Sequence, residues 1–471
     1  MPQCSEHSAC SHFSVGAANP EAGEPLRDAI FSHSRAEGCR ASSFHQDHAH
    51  PFENKSCPCW HAKADSNILS ILTWKPLFPN HSPMISRRSF LATSLAAAAS
   101  PVSASEDTRN LKAKIDSHRP SIKSYPPTEL RQRIGTTLVH GKYHLSKQPV
   151  LLEGAAKMIE MGTRLGKFWF NPSRVAQDYS FNSQWPKVSH LAELAATPYW
   201  GEVFSMPFHT LILIAECPLE NGWQDSQNDE FYQRITREFE ELTRSLYQKY
   251  KDRDLTIILQ NWEGDWQLRG IGESWSNPPA DWKSRCDRFA KRLTARQLGV
   301  TRARTALQTG SKLRVLHAAE VNRVTDQWRG IPTMTEHVLP KVSLDLVSYS
   351  CYDAMKDGTQ LFKAIETVRR FANTQGPDGP GAVYLGEIGI PENIAKHQIS
   401  ARWDELIGAA LAAKVLHIAQ WQLYCNELNP KFEPHPKQPI HESWRMRGFW
   451  LFYPDGSLTE SGRFFSKLWQ K

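Results

Sequence analysis

Two glutamates in this sequence each follow a run of apolar residues that is typical of a buried strand. Glu387 comes near the end of the run 382–388, and a glycine and a proline follow within four residues. Glu263 comes three residues after the run 255–260. A carboxylate at the tip of a buried strand costs free energy unless it is paired or used in chemistry. Both positions are therefore candidate catalytic groups.

Paired carboxylates can cleave a glycosidic bond if one protonates the leaving oxygen and the other, about 5–5.5 Å away, attacks the anomeric carbon. The acid needs an apolar setting that raises its pKa, whereas the nucleophile must stay ionised. Glu263 is flanked by Trp262 and Trp266, which suits the acid, and Glu387 lies between two glycines, which suits the nucleophile. Asp265 is a competing acid at the same strand tip.

Strand-like and helix-like segments alternate from about residue 131 onward, in eight units. Such an alternation predicts an (β/α)8 TIM barrel, an α/β fold in which the carboxyl ends of all strands share one mouth. No glycine-rich phosphate turn follows the first strand, which disfavours an open doubly wound sheet. The predicted strands cover residues 134–139, 167–170, 211–215, 256–260, 313–317, 344–349, 383–388 and 415–424.

Side chains near several strand tips are expected to line this mouth. His317 ends the predicted fifth strand, where it either contacts substrate or caps the strand. Aromatic rings pair with the apolar faces of sugar rings. We therefore expect Trp266, Trp275 and Trp421 to lie in the cleft.

The N-terminal part has the character of an extension rather than of a domain. Residues 1–83 show almost no helical or alternating pattern and are expected to be disordered, or to be upstream sequence if Met84 is the initiator. Residues 84–104 contain Arg87 and Arg88, a short apolar stretch and a small-residue ending, a pattern similar to a bacterial twin-arginine signal peptide. Residues 105–129 would be a linker and 130–471 the catalytic barrel, which would be periplasmic or secreted.

Composition narrows the possible partners. The net charge of +7 is spread along the chain without a basic block, so a nucleic-acid partner is not indicated. No later apolar run is long enough for a membrane span. Cys217, Cys286, Cys351 and Cys425 are widely separated, and three of them fall in or just after apolar runs, where we expect a small buried side chain rather than a disulfide.

From residue 255 onward the chain resembles glycoside hydrolase clan A, the superfamily of retaining glycosidases that includes cellulases and mannanases. The similarity rests on Asn261-Trp-Glu263 after strand four, the segment 345–352 with its final Tyr352, the segment 385–389 with Glu387, and Trp421 after strand eight. The resemblance implies that Glu263 is the acid/base and Glu387 the nucleophile. It further implies that Tyr352 contacts the nucleophile and that Asn261 and Trp421 hold the sugar.

The sequence departs from the clan pattern at three positions. Trp262 separates Asn261 from Glu263, Ser350 stands where the clan usually has a histidine, and Lys167 stands on strand two in place of an arginine. With these differences, the resemblance implies a retaining hydrolase of O-glycosidic bonds. It would act on an oligo- or polysaccharide without a cofactor, and Trp262 and His317 would add to the substrate contacts.

Two other hypotheses remain open from sequence. A metal-dependent sugar isomerase or epimerase would use Glu263, His317 and Glu387 as ligands of a divalent ion. A non-catalytic carbohydrate-binding barrel would retain the aromatic contacts without turnover, because the Asn–Glu dipeptide is interrupted.

Overall fold

Eight parallel strands form a closed barrel in the order β1 to β8, with β8 paired to β1. The structure is a computed structural model that describes residues 122–221, 228–270, 278–395, 398–429 and 437–470, together with positions 113, 116 and 431. Helices connect the strands, so the fold is a (β/α)8 TIM barrel. The predicted fold class is confirmed.

All eight strands occur in the predicted order, but two of them differ clearly in length. The strands are β1 Ile134–Leu138, β2 Leu165–Phe170, β3 Thr210–Ala215, β4 Thr256–Gln260, β5 Arg314–Val321, β6 Leu346–Ser350, β7 Val383–Ile388 and β8 Ile418–Gln420. The fifth strand continues four residues beyond the predicted end, to Val321, and the eighth is shorter than predicted at both ends.

The helices lie outside the strand barrel. They are α1 Pro127–Arg133, α2 Val150–Met161, α3 Val175–Asp178, α4 Leu191–Ala196, α5 Pro198–Ser205, α6 Asp229–Tyr250, α7 Gly264–Arg269, α8 Trp282–Leu307, α9 Met334–His337, α10 Gly358–Phe371, α11 Glu392–Ala395, α12 Ile399–Ala412 and α13 Glu460–Gln470. Short 3-10 turns occupy Ile122–Ser124, Pro218–Glu220, Val324–Arg329, Leu339–Lys341, Tyr352–Ala354 and Ser443–Arg445.

Alternation along the strands divides the buried residues into two layers. Successive side chains of a strand point to opposite faces, so every second residue faces the barrel interior. The lower interior is apolar and is formed by Leu165, Ile212, Ile258, Leu316, Ala318, Leu346, Ala382, Tyr384 and Ala419. The apolar strand residues of the opposite face pack outward against the helices and belong to the larger outer core.

The two longest helices, α6 and α8, pack side by side against the strands. Phe239 and Leu246 are among the buried residues of the apolar face of α6, and Phe289 and Leu293 belong to the buried face of α8. At Gly299 a Cβ would lie 2.4 Å from the carbonyl oxygen of Thr236, so only glycine permits this close approach of the two helices.

The first and last helices close the base of the barrel. Leu130 of α1 is buried, and the indole Nε1 of Trp469 in α13 donates to the carbonyl of Ile134 at 2.9 Å. Residues 127–129, which the sequence places in a linker, begin helix α1.

Three further expectations concern the chain as a whole. The extension at 1–83 and the signal at 84–104 lie outside the described residues, as does Trp275. All four cysteines of the barrel are buried and unpaired. Among the described residues, no helix has the length and apolar character needed to cross a membrane.

Candidate active site

Four ionisable side chains meet at the carboxyl-end mouth of the barrel, above the apolar interior. Lys167 comes from β2, Glu263 from the loop after β4, Glu320 from β5 and Glu387 from β7. These four residues are called the mouth cluster below. Each side chain is at most 7% exposed. Three carboxyl groups therefore share a buried space with a single ammonium group.

Glu263 reaches the cluster because the chain turns inward directly after β4 and starts the short helix α7. Its Oε1 accepts a hydrogen bond from the Ser350 hydroxyl at 2.5 Å, and its backbone N–H donates to Glu320 Oε2 at 3.2 Å. Burial raises its pKa well above the usual range, and the carboxylates of Glu387 and Glu320 raise it further. The arrangement favours a protonated Glu263.

Glu387 points into the mouth because β7 contains a bulge. The pairing between β6 and β7 shifts from Tyr349 opposite Leu385 to Ser350 opposite Glu387, which leaves Gly386 as the extra residue. Such a bulge re-aims the next side chain. A Cβ on Gly386 would lie 2.0 Å from Ser348 Oγ and 2.3 Å from Glu320 Oε1, so the bulge also requires glycine here.

Lys167 forms the cationic centre of the cluster. Its Nζ donates to Glu387 Oε1 at 2.9 Å, to the Gly386 carbonyl at 2.9 Å and to Glu320 Oε1 at 3.3 Å. Burial alone would lower its pKa, but the two carboxylates outweigh burial and raise it. Lys167 therefore stays charged.

The carboxyl groups of Glu263 and Glu387 approach one hydroxyl from two sides. Ser350 Oγ lies 2.5 Å from Glu263 Oε1 and 3.5 Å from Glu387 Oε2, so these two carboxyl oxygens are at most 6.0 Å apart. Burial raises the pKa of Glu387 to about 7, the Lys167 ammonium opposes that rise, and Glu320 adds to it. Lys167 contacts Glu387 and not Glu263, so Glu387 gives up its proton first.

Glu320 belongs to the site, although the sequence analysis did not single it out. It is fully buried on the inner face of β5, and it accepts hydrogen bonds from Gln260 Nε2 at 2.7 Å and Ser348 Oγ at 2.8 Å. Its position could have been found from the alternation along β5: Leu316 and Ala318 line the interior, and Glu320 continues their two-residue period.

The residues around Glu263 hold the loop after β4 rather than adding a second acid. Asn261 is fully buried; its Nδ2 donates to the Trp262 carbonyl at 2.9 Å, and its Oδ1 accepts from the Glu320 N–H at 3.1 Å. Asp265, the competing acid, accepts from the backbone N–H groups of Met334, Asn322 and Arg323. Its oxygens are thus committed to the neighbouring loops.

Aromatic side chains border the mouth. Trp421 lies directly after β8, its indole Nε1 donates to Glu427 Oε1 at 3.3 Å, and its ring meets that of Trp169 edge-on at a centroid distance of 5.4 Å. Burial and then the charges of Glu387, Glu427 and Glu263 raise the pKa of Tyr352 well above its usual value. The Tyr352 ring meets that of Phe449 edge-on at a centroid distance of 6.2 Å. Trp262 and Trp266 are half-buried beside Glu263.

His317 does not join the site, which corrects the expected substrate contact. It occupies an odd position of β5, and its side chain faces the helices. Its Nδ1 lies 3.2 Å from Gln297 Oε1 on α8, and its ring is 6.2 Å from that of Phe239 on α6. Burial and then the nearby Arg296 lower its pKa well below the usual value, so the ring is neutral. The metal-ligand set Glu263, His317 and Glu387 is therefore not assembled.

Comparisons with known proteins give similarities in fold. No family model and no curated protein matches the chain. Among solved structures, it is similar to GH5_18 from Streptomyces cattleya in complex with GlcNAc, at 13% identity over 72% of this chain and 80% of that chain, with a TM-score of 0.44. It is also similar to the beta-glucosidase from Thermotoga maritima in complex with cyclophellitol (11% identity, 68% and 85%, TM-score 0.42). A third is the endo-1,4-beta-D-mannanase from Thermotoga petrophila RKU-1 (13%, 72% and 99%, TM-score 0.39).

Proposed function

We propose that this chain is a retaining glycoside hydrolase, with Glu263 as acid/base and Glu387 as nucleophile. The observation that carries the proposal is the geometry at Ser350, where two carboxyl oxygens approach within at most 6.0 Å of each other and only one of the two groups is paired with a lysine. Retention needs carboxyl groups about 5–5.5 Å apart, whereas inversion needs about 6.5–9.5 Å to admit a water molecule; the upper bound on this one oxygen pair is compatible with retention.

The protonation states match these roles. Glu263 keeps its proton, because burial and two neighbouring carboxylates raise its pKa, and it can protonate the leaving oxygen. Glu387, held by Lys167, attacks the anomeric carbon as a carboxylate, and the bond between that carbon and the leaving oxygen breaks. Glu263, now ionised, then takes a proton from a water molecule, which displaces Glu387 and releases the sugar.

The sugar would lie between the carboxyl groups and the aromatic border. The Trp169 ring lies 5.6 Å from Lys167 Nζ, and the Trp421 ring meets it edge-on at 5.4 Å. Aromatic rings beside the cluster suit the apolar face of a pyranose ring. Asn261, Trp262, Trp266 and Tyr352 would complete the surroundings of the substrate. We further propose an oligo- or polysaccharide substrate, no cofactor, and export directed by the twin-arginine-like segment 84–104.

The test is hydrolysis by the full chain of a panel of aryl β-glycosides and β-linked polysaccharides, with and without a chelator. Proton NMR of the first product should show the anomer of the substrate, and Glu387→Gln should lower kcat by about 10⁴-fold or more. A 2-deoxy-2-fluoro glycoside should label Glu387, as peptide mass spectrometry can show. The matched control is Asp345→Asn, which changes a buried carboxylate at the opposite end of β6 and should keep turnover.

Three results would contradict the proposal. The first is no turnover of any glycoside by the wild type, and the second is inversion of the anomer. The third is loss of activity with the chelator, which would favour the metal-dependent isomerase or epimerase. Sugar binding without turnover, unchanged in Glu387→Gln, would favour the non-catalytic binding barrel.

A further inference from the structure

Glu320 stands at the centre of the mouth cluster and bonds to both Lys167 and the backbone of Glu263. It is fully buried, and its Oε1 accepts from Lys167 Nζ at 3.3 Å, Gln260 Nε2 at 2.7 Å and Ser348 Oγ at 2.8 Å. Its Oε2 accepts from the backbone N–H of Glu263 at 3.2 Å. One carboxylate thus joins β2, β4, β5 and β6.

All four partners of Glu320 are donors in this arrangement. An ionised carboxylate accepts only, so four donors on two oxygens match its capacity. The surroundings hold these donors in place: Tyr384 donates its hydroxyl proton to Gln260 Oε1, which leaves the Gln260 amide N–H₂ directed at Glu320. Asn261 Oδ1 accepts from the backbone N–H of Glu320 itself at 3.1 Å, which fixes the end of β5 to the end of β4.

Glu320 reaches both proposed catalytic groups through a single intermediary each. Lys167 Nζ lies between Glu320 Oε1 and Glu387 Oε1, so moving the ammonium would move the partner of the nucleophile. The backbone N–H of Glu263 is bonded to the other oxygen of the same carboxylate. Gly386 lets β7 come close to Glu320 Oε1, the oxygen that Lys167 contacts, since a Cβ at residue 386 would lie 2.3 Å from this oxygen.

We propose that Glu320 is a positioning residue for the proposed hydrolysis: it holds Lys167 against Glu387 and fixes the backbone of Glu263. Its negative charge also acts on the two catalytic carboxyl groups, whose pKa values it raises. This inference rests on the proposed function, in that it assigns Glu320 a task in the same site. It adds a third carboxylate that does not touch substrate to the two that do.

The charges that face Glu320 determine whether the pKa values of Glu263 and Glu387 rise or fall when the charge of Glu320 is removed. They are the Lys167 ammonium from β2, the Glu263 carboxyl after β4 and the Glu387 carboxylate from β7; the uncharged Gln260, Ser348 and Tyr384 complete the surroundings. Removing the charge of Glu320 removes a repulsion from both other carboxyls and leaves Lys167 wholly to Glu387. Both effects lower the pKa values of Glu263 and Glu387.

The experiment compares Glu320→Gln, Glu320→Asp and the control Asp345→Asn in the full chain, on a glycoside that the wild type cleaves. In Glu320→Gln, kcat/KM at the wild-type optimum should fall about 10²-fold, the size of effect that a small misplacement of catalytic groups produces. Both limbs of its pH profile should move to lower pH by about one unit, the usual size of a neighbouring-charge effect.

The two other variants separate positioning from general stability. Glu320→Asp keeps the charge and should restore the wild-type pH profile while part of the rate loss remains. Asp345→Asn should lower the melting temperature without moving the profile. If Glu320→Gln loses rate and stability but keeps both limbs in place, Glu320 has a structural role only and the proposal is overturned.

A second readout does not need turnover. In protein labelled with carbon-13 at the glutamate carboxyl carbons, the Glu263 and Glu387 resonances, assigned with Gln variants, should titrate at lower pH in Glu320→Gln than in the wild type. If the wild type cleaves no glycoside, the proposed function fails while this titration still tests Glu320. Unchanged titration midpoints would overturn the charge effect whatever the activity.

Discussion

The barrel buries charged groups at both of its ends, but the charges are balanced at the base and unbalanced at the mouth. At the base, before β6, Asp345 is bonded to Arg304 through both oxygens, at 2.6 and 2.8 Å, with Gln297 Nε2 at 3.1 Å and the His317 N–H at 2.9 Å. One carboxylate therefore meets one guanidinium, and its remaining acceptor sites are filled. At the mouth, three carboxyl groups share one ammonium, and Glu263 and Glu387 have raised pKa values.

This contrast separates a structural ion pair from a site prepared for chemistry. A buried pair with balanced charges and filled hydrogen-bond sites holds elements together, and breaking it is costly because one charge is left uncompensated. Unbalanced buried carboxyls raise one another's pKa values instead, which is the condition that an acid and a nucleophile of unequal pKa require. The excess of carboxyl groups at the mouth costs stability that the rest of the barrel must supply.

The largest expected effect comes from removing the only cation of the mouth cluster. In Lys167→Met a side chain of similar length remains, but Glu387 and Glu320 then repel each other without compensation, so the pKa of Glu387 rises further above about 7. We expect kcat/KM at pH 7 to fall about 10³-fold, or about 4 kcal/mol of transition-state stabilisation. The acid limb of the pH profile should move to higher pH, which rate measurements between pH 5 and pH 9 can detect.

Lys167→Arg is the matched control for this variant. It keeps the charge and should leave the acid limb close to that of the wild type, whatever it does to the rate through its different shape. An acid limb that stays in place in Lys167→Met would show that the ammonium does not set the ionisation of Glu387.

At the base, removing the carboxylate of the Asp345–Arg304 pair should lower the free energy of unfolding without changing catalysis. Asp345→Asn leaves the half-buried Arg304 without its carboxylate, which we expect to cost about 3 kcal/mol of unfolding free energy. Chemical denaturation should show the loss, while kcat/KM of the folded protein and its pH profile should match the wild type. A shifted pH profile would mean that the Asp345–Arg304 pair at the base is coupled to the carboxyl groups at the mouth, which would contradict a purely structural role for the pair.

A smaller change in unfolding free energy, of opposite sign, is expected when an ionisable carboxyl group is removed from the crowded mouth. The folded-state pKa of Glu263 lies well above its unfolded value, so this group favours folding at low pH, and that contribution is lost as pH rises from about 4.3 towards the folded pKa. Glu263→Gln cannot ionise and should escape the loss. Its unfolding free energy should exceed that of the wild type by about 1 kcal/mol at pH 8.

The melting temperatures of both proteins at pH 5 and pH 8 check this sign. The advantage of Glu263→Gln should be smaller at pH 5, because pH 5 is only slightly above the unfolded pKa of about 4.3, so little of the wild-type loss has developed there. A constant difference between the two pH values, or a less stable variant at pH 8, would contradict a raised pKa for Glu263.

Much of the architecture could be predicted because the strands carry strong local signals. The runs at 256–260 and 383–388 are rich in branched or aromatic apolar residues, and their predicted bounds match β4 and β7. The fifth strand was ended too early, at His317. Its continuation through Ala318 and Ala319 lacks branched side chains, so the extension to Glu320 gave a weak strand signal.

The geometry of the candidate site depends on a β-bulge and on contacts between distant strands, neither of which can be predicted from residue patterns along the chain. Glu387 follows Leu385 by two residues, and a regular strand would place both on the outer face; the bulge at Gly386 turns Glu387 inward. The shared hydroxyl of Ser350 and the ammonium of Lys167 come from strands far apart in sequence. In the sequence, Ser350 and Lys167 are recognisable only as departures from the clan pattern, and their contacts with the glutamates form only when the barrel closes.

The smallest effect is expected at His317, whose position follows from the same two-residue alternation that places Glu320 in the mouth. Its ring is neutral and buried between β5 and the helices, and the Gln297 Oε1 beside it also accepts from the Asp345 N–H at 3.1 Å. His317→Leu therefore leaves no acceptor unsatisfied on Gln297 and keeps the apolar packing against Phe239. We expect kcat/KM within about twofold of the wild type and a change in unfolding free energy of at most about 1 kcal/mol. A loss of activity as large as that of Lys167→Met, in a protein of unchanged stability, would place the imidazole in the mouth and contradict the outward face of residue 317.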